Sequence, residues 1–147
     1  MRLVIQRVSR AKVSVDDRVI GRIDKGMVVL VGFFDGDGEE DVNFLADKLS
    51  KLRIMADSGG KMNVNIGDSK GSLLVVSQFT LSADTSKGNR PSFIKAANPK
   101  VAERLYGDFM ARLKELGLTV ETGKFGAYMM IDLELDGPVT IVLDSKR

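Results

Sequence analysis

At 147 residues, 44% apolar and 29% charged, the chain fits one globular domain (1–147) with a single substantial core. A net charge of +2 announces no nucleic-acid partner, so any RNA contact has to rest on local clustering of basic residues. Cys and His are both absent, which excludes disulfides, thiolate nucleophiles, Cys/His zinc sites and every imidazole-based triad.

Proton transfer must therefore use Asp, Glu, Lys, Tyr, water or a group on the substrate. No run approaches the roughly 18 apolar residues of a membrane span. The start, Met1 to Arg7, lacks the apolar stretch and cleavage site of a signal peptide, so the expected location is cytoplasmic, with no membrane partner.

In chain order, Leu3 to Val8 is β-rich with Gln6 and Arg7 inside the pattern, and Arg10 to Asp16 alternates apolar with polar as a half-wet strand does. Asp16-Asp17 reads as a turn into Arg18 to Ile23, making a hairpin. Met27 to Val31 is continuously apolar and predicts a central strand. The loop after it carries Asp35, Asp37, Glu39 and Asp41, but the bidentate Glu of a calcium loop is missing, since Ala46 and Asp47 stand in its region. Those acids suit a helix N-terminus better, and Val42, Leu45, Ala46, Leu49 and Leu52 recur at helical spacing behind them. No metal and no cofactor is called for.

A Gly-rich loop over Asp57 to Asn65 leads to a short Val64–Ile66 segment and a strand over Leu73 to Phe79. Ser82 to Asn98 is a long polar loop, a length that in a compact domain points to function or disorder. Asn98-Pro99 is an N-cap followed by Pro at the first helical position, and the stripe from Val101 through Leu105, Tyr106, Phe109 and Leu113 to Leu116 ends at a capping Gly117. Short strands are expected over Leu118 to Gly123, over Met129 to Leu135 and, after a turn at Asp136-Gly137-Pro138, over Val139 to Leu143. The result is a mixed α/β domain with many strands and two helices.

The polar residues Ser77, Gln78 and Thr80 at the mouth of a core strand are poorly explained by packing, because each needs a partner once buried. Ser77-Gln78-Phe79-Thr80-Leu81 resembles the signature pentapeptide of the D-aminoacyl-tRNA deacylases. Asp136-Gly137-Pro138-Val139-Thr140 is similar to a second signature of that family. Ile5-Gln6-Arg7-Val8, Gly60-Lys61-Met62-Asn63 and Asn89-Arg90-Pro91-Ser92-Phe93 resemble further blocks in the same order.

That resemblance spans essentially the whole chain. It implies an α/β fold of two β-sheet layers with helices packed on one side (β/β/α), assembled as a homodimer. The implied substrate is the ester joining a D-amino acid, or glycine, to the terminal ribose of tRNA, with no part for DNA. Ser77, Gln78, Phe79 and Thr80 take the catalytic positions. Gly137-Pro138 corresponds to a cis pair that enters the partner's site and excludes L side chains, and Arg7 to the arginine that helps hold the pair across the interface. Phe125 and Met129 match positions near the terminal adenosine. One departure is Leu135, where relatives commonly have Asn.

From the residues themselves, Lys87, Arg90, Lys95, Lys100 and Arg104 form a candidate phosphate track. Thr80 as nucleophile lacks an obvious base nearby in sequence, and the missing His and Cys favour assistance by a ribose hydroxyl of the tRNA. Two other readings stand beside esterase action on tRNA. One is a non-catalytic module binding the tRNA acceptor end; the other is a general small-ester hydrolase.

Overall fold

The computed structural model describes residues 1–146. In chain order the elements are β1 (Arg2–Val15), β2 (Arg18–Ile23), β3 (Gly26–Gly32), α1 (Glu39–Lys51), β4 (Met55–Ala56), β5 (Met62–Val64), β6 (Ser72–Ser77), α2 (Pro99–Glu115), β7 (Thr119–Thr122) and β8 (Met130–Asp144). Strands β4 and β5 form a two-stranded ribbon, and the other six strands form one mixed sheet in the order β2-β1-β3-β6-β7, with β8 added to β1.

The sheet is organised by β1. Its first half, Arg2 to Val8, pairs antiparallel with β3, and Ala11 to Val15 pairs with β2. Meanwhile β8 runs antiparallel to it from Arg2↔Asp144 to Ser14↔Met130. The two segments expected before the hairpin are thus one strand, because Gln6 and Arg7 alternate in register with their neighbours and do not break it. Parallel pairing of β3 with β6, and of β6 with β7, extends the sheet.

Two layers arise because this single sheet curls over on itself. Leu3, Ile5, Met27, Val29, Val31, Leu73 and Val75 point to a core shared with α1 and α2, where Leu45, Leu49, Leu105, Phe109 and Leu113 are fully buried. The opposite faces of the same strands, Val28, Leu74 and Val76, meet Val8, Ala11, Val13 and Ile23 in a second, smaller core. Burial on both faces explains the unbroken apolar runs of β3 and β6. The curl brings β2 against β7 so closely that a Cβ at Gly21 would lie 2.7 Å from the Thr122 carbonyl oxygen.

The helix signals behave as read. Asn98 Oδ1 accepts the Lys100 N–H at 3.0 Å with Pro99 at the first turn, and Gly117 takes φ +80 beyond the last turn of α2. Of the acids around the start of α1, Asp41 in its first turn accepts the Gly38 N–H, while buried Asp37 before it accepts the Phe34 N–H and pairs with the Met1 amino group and Lys146. Arg112 of α2 grips Asp47 of α1 at 2.9 Å, tying the helices together.

Three boundaries differ from expectation. The short strand after the Gly-rich loop is Met62–Val64, leaving Ile66 as a fully buried plug in a turn. Strand β6 stops at Ser77, and Phe79–Ser82 wind into a 3-10 turn capped by Gln78. The segments flanking Asp136-Gly137-Pro138 are one strand: Thr140 lies opposite Gln6 and Leu135 opposite Val8, so Asp136 to Val139 bulge out across from Arg7 alone. Turn-forming residues are equally at home in a bulge, and only the common partner β1 distinguishes the two.

Candidate active site

The candidate site starts at the end of β6. The Gln78 N–H donates to the Val31 carbonyl at 2.7 Å, fixing where the strand turns. Gln78 then folds its side chain forward: Oε1 accepts the Thr80 hydroxyl at 2.6 Å and, more weakly, the Thr80 N–H at 3.4 Å. Ser82, buried at the far end of the turn, donates its hydroxyl to the Phe79 carbonyl at 2.7 Å. The Phe79 N–H meets no acceptor among the described residues. The turn thus leaves the Phe79 N–H free and the Thr80 N–H only weakly engaged, two donors of the kind that stabilise a developing oxyanion.

Thr80 is held as a hydrogen-bond donor to an amide oxygen, a group that does not take up a proton near neutrality. No carboxylate or amine among the described residues hydrogen-bonds to its hydroxyl. An activated nucleophile needs such a base. The geometry therefore suits a positioning role for the Thr80 side chain.

Walls rise on both sides of β6. Phe79, exposed at the rim, meets the edge of Phe93 with ring centroids 5.0 Å apart. Phe93 is delivered by the polar segment after the turn, which is ordered by a bridge between Asp84 and Ser92, by the Asp35 N–H donating to the Lys95 carbonyl and by the Ala97 N–H donating to the Phe33 carbonyl. On the other side the Gly123 N–H reaches the Val75 carbonyl at 3.1 Å, and Met129 packs its sulfur against the backbone at Gly123 and Lys124. Phe125 leans on Tyr106, whose hydroxyl donates to the same Val75 carbonyl at 2.8 Å. Burial pushes that phenol up to about 12. Phe125 and Met129 thus sit beside the strand end that carries Ser77.

The candidate phosphate track is thinner than its sequence suggests. Lys95 is tied to Asp84 at 2.9 Å and Arg104 to Asp108 at 3.1 Å. Hydrogen bonds from Lys95 and Ser86 hold the Asp84 carboxyl well below the usual range. Lys87, Arg90 and Lys100 are exposed and have no carboxylate partner among the described residues. Asp84 and Tyr106 are contributors that sequence reading passed over: one lay in an unpatterned loop, the other looked like an ordinary member of a helix stripe.

Arg7 and Gly137-Pro138 come together elsewhere. Arg7 Nε donates to the Asp136 carbonyl at 3.1 Å and lies 3.2 Å from its carboxylate, while Nη1 donates to the Ile54 carbonyl at 2.8 Å. These contacts lie within one subunit. The Gly137–Pro138 peptide bond is cis, and both residues are exposed. A side chain at Gly137 (φ +128) would press within 2.8 Å of Val139 Cγ2. Leu135 is partly exposed in the ladder beside Val8, so the bulge here leans on Arg7 rather than on an amide at position 135. No hydrogen bond or ring contact among the described residues joins this bulge to Ser77–Thr80 of the same chain.

The whole chain has close relatives. It is 56% identical over 147 residues to a D-aminoacyl-tRNA deacylase of Bacillus pumilus, covering 100% of both chains. A solved structure described as a c-Myc DNA Unwinding Element Binding Protein superposes with TM-score 0.94 at 38% identity over 100% of both chains. A second, a probable eukaryotic D-amino acid tRNA deacylase, shares the fold with TM-score 0.85 at 18% identity over 97% of each. The family model for D-Tyr-tRNA(Tyr) deacylase matches residues 4–144, from the first turn of β1 to the end of β8. A match of that extent, on a chain whose strand end offers amide hydrogens and no activated nucleophile, leaves one assignment: the chain belongs to the D-Tyr-tRNA(Tyr) deacylase family of ester hydrolases.

Proposed function

We propose that residues 1–147 act as one cytoplasmic deacylase domain that hydrolyses the ester of D-aminoacyl-tRNA, and of glycyl-tRNA, in a homodimer. The observation that carries the dimeric form of this reading is the bulge at Asp136–Val139. It is fastened by Arg7, exposes Asp136, Gly137 and Pro138 to solvent, and has no bond to its own Ser77–Thr80. A braced loop with nothing to do in its own subunit suits a task in another.

On this reading the terminal adenosine lies by Phe125 and Met129, and the ester carbonyl points at the Phe79 and Thr80 amide hydrogens. Water attacks the carbonyl carbon, the oxyanion is stabilised by those amides, and the ribose hydroxyl next to the ester assists the proton transfers. Expulsion of the ribose oxygen, with its proton, releases free amino acid and tRNA. The partner's Gly137-Pro138 backbone faces the α-carbon and leaves room for hydrogen but not for an L side chain. A backbone filter discriminates configuration without regard to which side chain the D-amino acid bears, and it admits glycine.

The test is hydrolysis of D-tyrosyl-tRNA, L-tyrosyl-tRNA, glycyl-tRNA and free D-tyrosine ethyl ester, with and without chelator. Hydrolysis of the D- and glycyl-tRNA esters alone, undiminished by chelation, is expected. Binding without turnover would establish the acceptor-end module instead, and cleavage of the ethyl ester at a comparable rate the general esterase. Light scattering that shows a fully active monomer would remove the cross-subunit filter.

A further inference from the structure

Away from the β6 pocket, the outer face of α1 carries an open groove of about 490 Å³ lined by Asn43, Phe44, Lys48, Lys51, Leu52 and Arg53. Lysines in the last turn of a helix have an ordinary explanation in the macrodipole. That explanation does not cover Phe44, whose ring is 53% exposed one turn before Lys48. Asp47, the acid inside the groove, is taken up by Arg112 from α2. Lys48, Lys51 and Arg53 have no carboxylate partner among the described residues; Arg53 reaches only the Asn63 amide oxygen. The uncompensated acid on the stripe, Glu40, lies a further turn away. A bare aromatic ring among unpaired cations is the composition of a surface for single-stranded nucleic acid, with stacking on the ring and phosphates on the amines.

The position of the groove matters as much as its chemistry. It ends at Arg53, and the next residue, Ile54, receives the same Arg7 guanidinium that holds Asp136. Groove and bulge are therefore neighbours braced by one side chain. We propose that the α1 groove binds the single-stranded 3′ end of the tRNA whose ester occupies the partner's site. This rests on the cross-subunit reading above: the subunit that lends its Gly137-Pro138 loop also lends a grip on the RNA leading into that site.

The variant Phe44→Ala/Lys48→Gln/Lys51→Gln changes exposed side chains only. For D-tyrosyl-tRNA it should raise KM about tenfold with kcat unchanged, and flatten the log–log salt dependence by about 0.7 per lost phosphate contact. Hydrolysis of 3′-(D-tyrosyl)adenosine, which lacks the upstream nucleotides, should not change. Equal effects on both substrates, or none on either, would overturn the proposal; the second result would leave the groove to a protein partner. Wild-type protein that hydrolyses neither substrate would sink the deacylase reading and this one with it, whereas normal turnover of both by wild type and variant sinks this one alone.

Mixed dimers separate the two geometries. With Gly137→Val and the groove variant on one subunit, the other subunit's loop and groove remain intact, so one site keeps a normal KM. With the two changes on different subunits, no normal site remains. The reverse pattern would mean that the groove serves its own subunit's site, and would overturn the assignment to the partner.

Discussion

At the end of β6 the chain folds polar residues back among its own segments, whereas midway along β8 it puts Asp136, Gly137 and Pro138 out into solvent before Val139 returns to the core. Each departure interrupts a strand, yet the first is bounded by Phe93, Phe125 and Met129 and the second is held by one arginine. Polar groups on the first meet partners supplied by the turn itself: Gln78 for Thr80, and the Phe79 carbonyl for Ser82. The second satisfies little internally and offers backbone outward. A strand end that satisfies itself and a projection that does not are suited to different tasks, which is why the difference bears on function.

Breaking the projection should have the larger effect. Gly137→Val places a branched side chain at φ +128 against Val139, and deacylation of D-tyrosyl-tRNA should fall about a hundredfold, the scale of a misplaced reacting group. Circular dichroism should stay near wild type and melting should fall only modestly, because Asp136, Gly137 and Pro138 are exposed and only Val139 of the bulge touches the core. Arg7→Ala should act in the same direction, about tenfold or more, by freeing Asp136 and Ile54 together. If either variant melts far below wild type at undiminished specific activity, the bulge is a structural element rather than half of a site.

The pocket side can be sharpened through Tyr106. Tyr106→Phe removes a donor from the Val75 carbonyl, which keeps the Gly123 N–H, so a loss of about 1 kcal/mol is expected in chemical denaturation. Burial raises its folded-state pKa from 10.0 to about 12, so the folded chain retains the proton more tightly than the unfolded chain does. The stability it contributes is complete below pH 10 and is lost as pH rises toward 12. The difference between wild type and Tyr106→Phe should therefore narrow over that window; a constant difference would show the phenol to be solvated.

Thr80→Ala should keep the rate within about tenfold, while tRNA ending in 2′-deoxyadenosine should be a poor substrate. The opposite pattern would make Thr80 the nucleophile and the pocket chemically self-sufficient. Smallest is the salt effect: Arg90→Ala should make the log–log slope shallower by about 0.7, and Lys95→Ala by less, because Asp84 already neutralises Lys95.

Much of this was legible in the residues. Unbroken apolar runs marked β3 and β6 as doubly covered, and Asn98-Pro99 with Gly117 bracketed α2. The curl of one sheet into two layers was not legible, because it depends on β1 pairing with a strand more than a hundred residues distant, and periodicity carries no information about partners. For the same reason Asp136-Gly137-Pro138 read as a turn between two strands. At the site, sequence placed Ser77–Thr80 at a strand mouth but not the forward fold of Gln78 onto Thr80. Nor did it reveal that Asp84 disarms one of the track's lysines, since a lone acid in a polar loop has no pattern to betray its partner.

The pairing of β1 with β8 also sets an order of assembly. From Arg2↔Asp144 to Ser14↔Met130, one edge of the strand at the centre of the sheet is complementary to residues made last. The hairpin with β2 and the ladder with β3 can form early, from neighbours in sequence, and α1 can dock on them. Yet β1 carries an open edge, with unpaired amides and carbonyls, through the whole of synthesis until β8 emerges. Such long-range closure slows folding and leaves the nascent sheet exposed to strands from other copies. The alternation of Lys12 and Arg10 opposite Asp132 and Glu134 gives the correct partner a charge match that another copy of β1, bearing the same two cations, cannot provide.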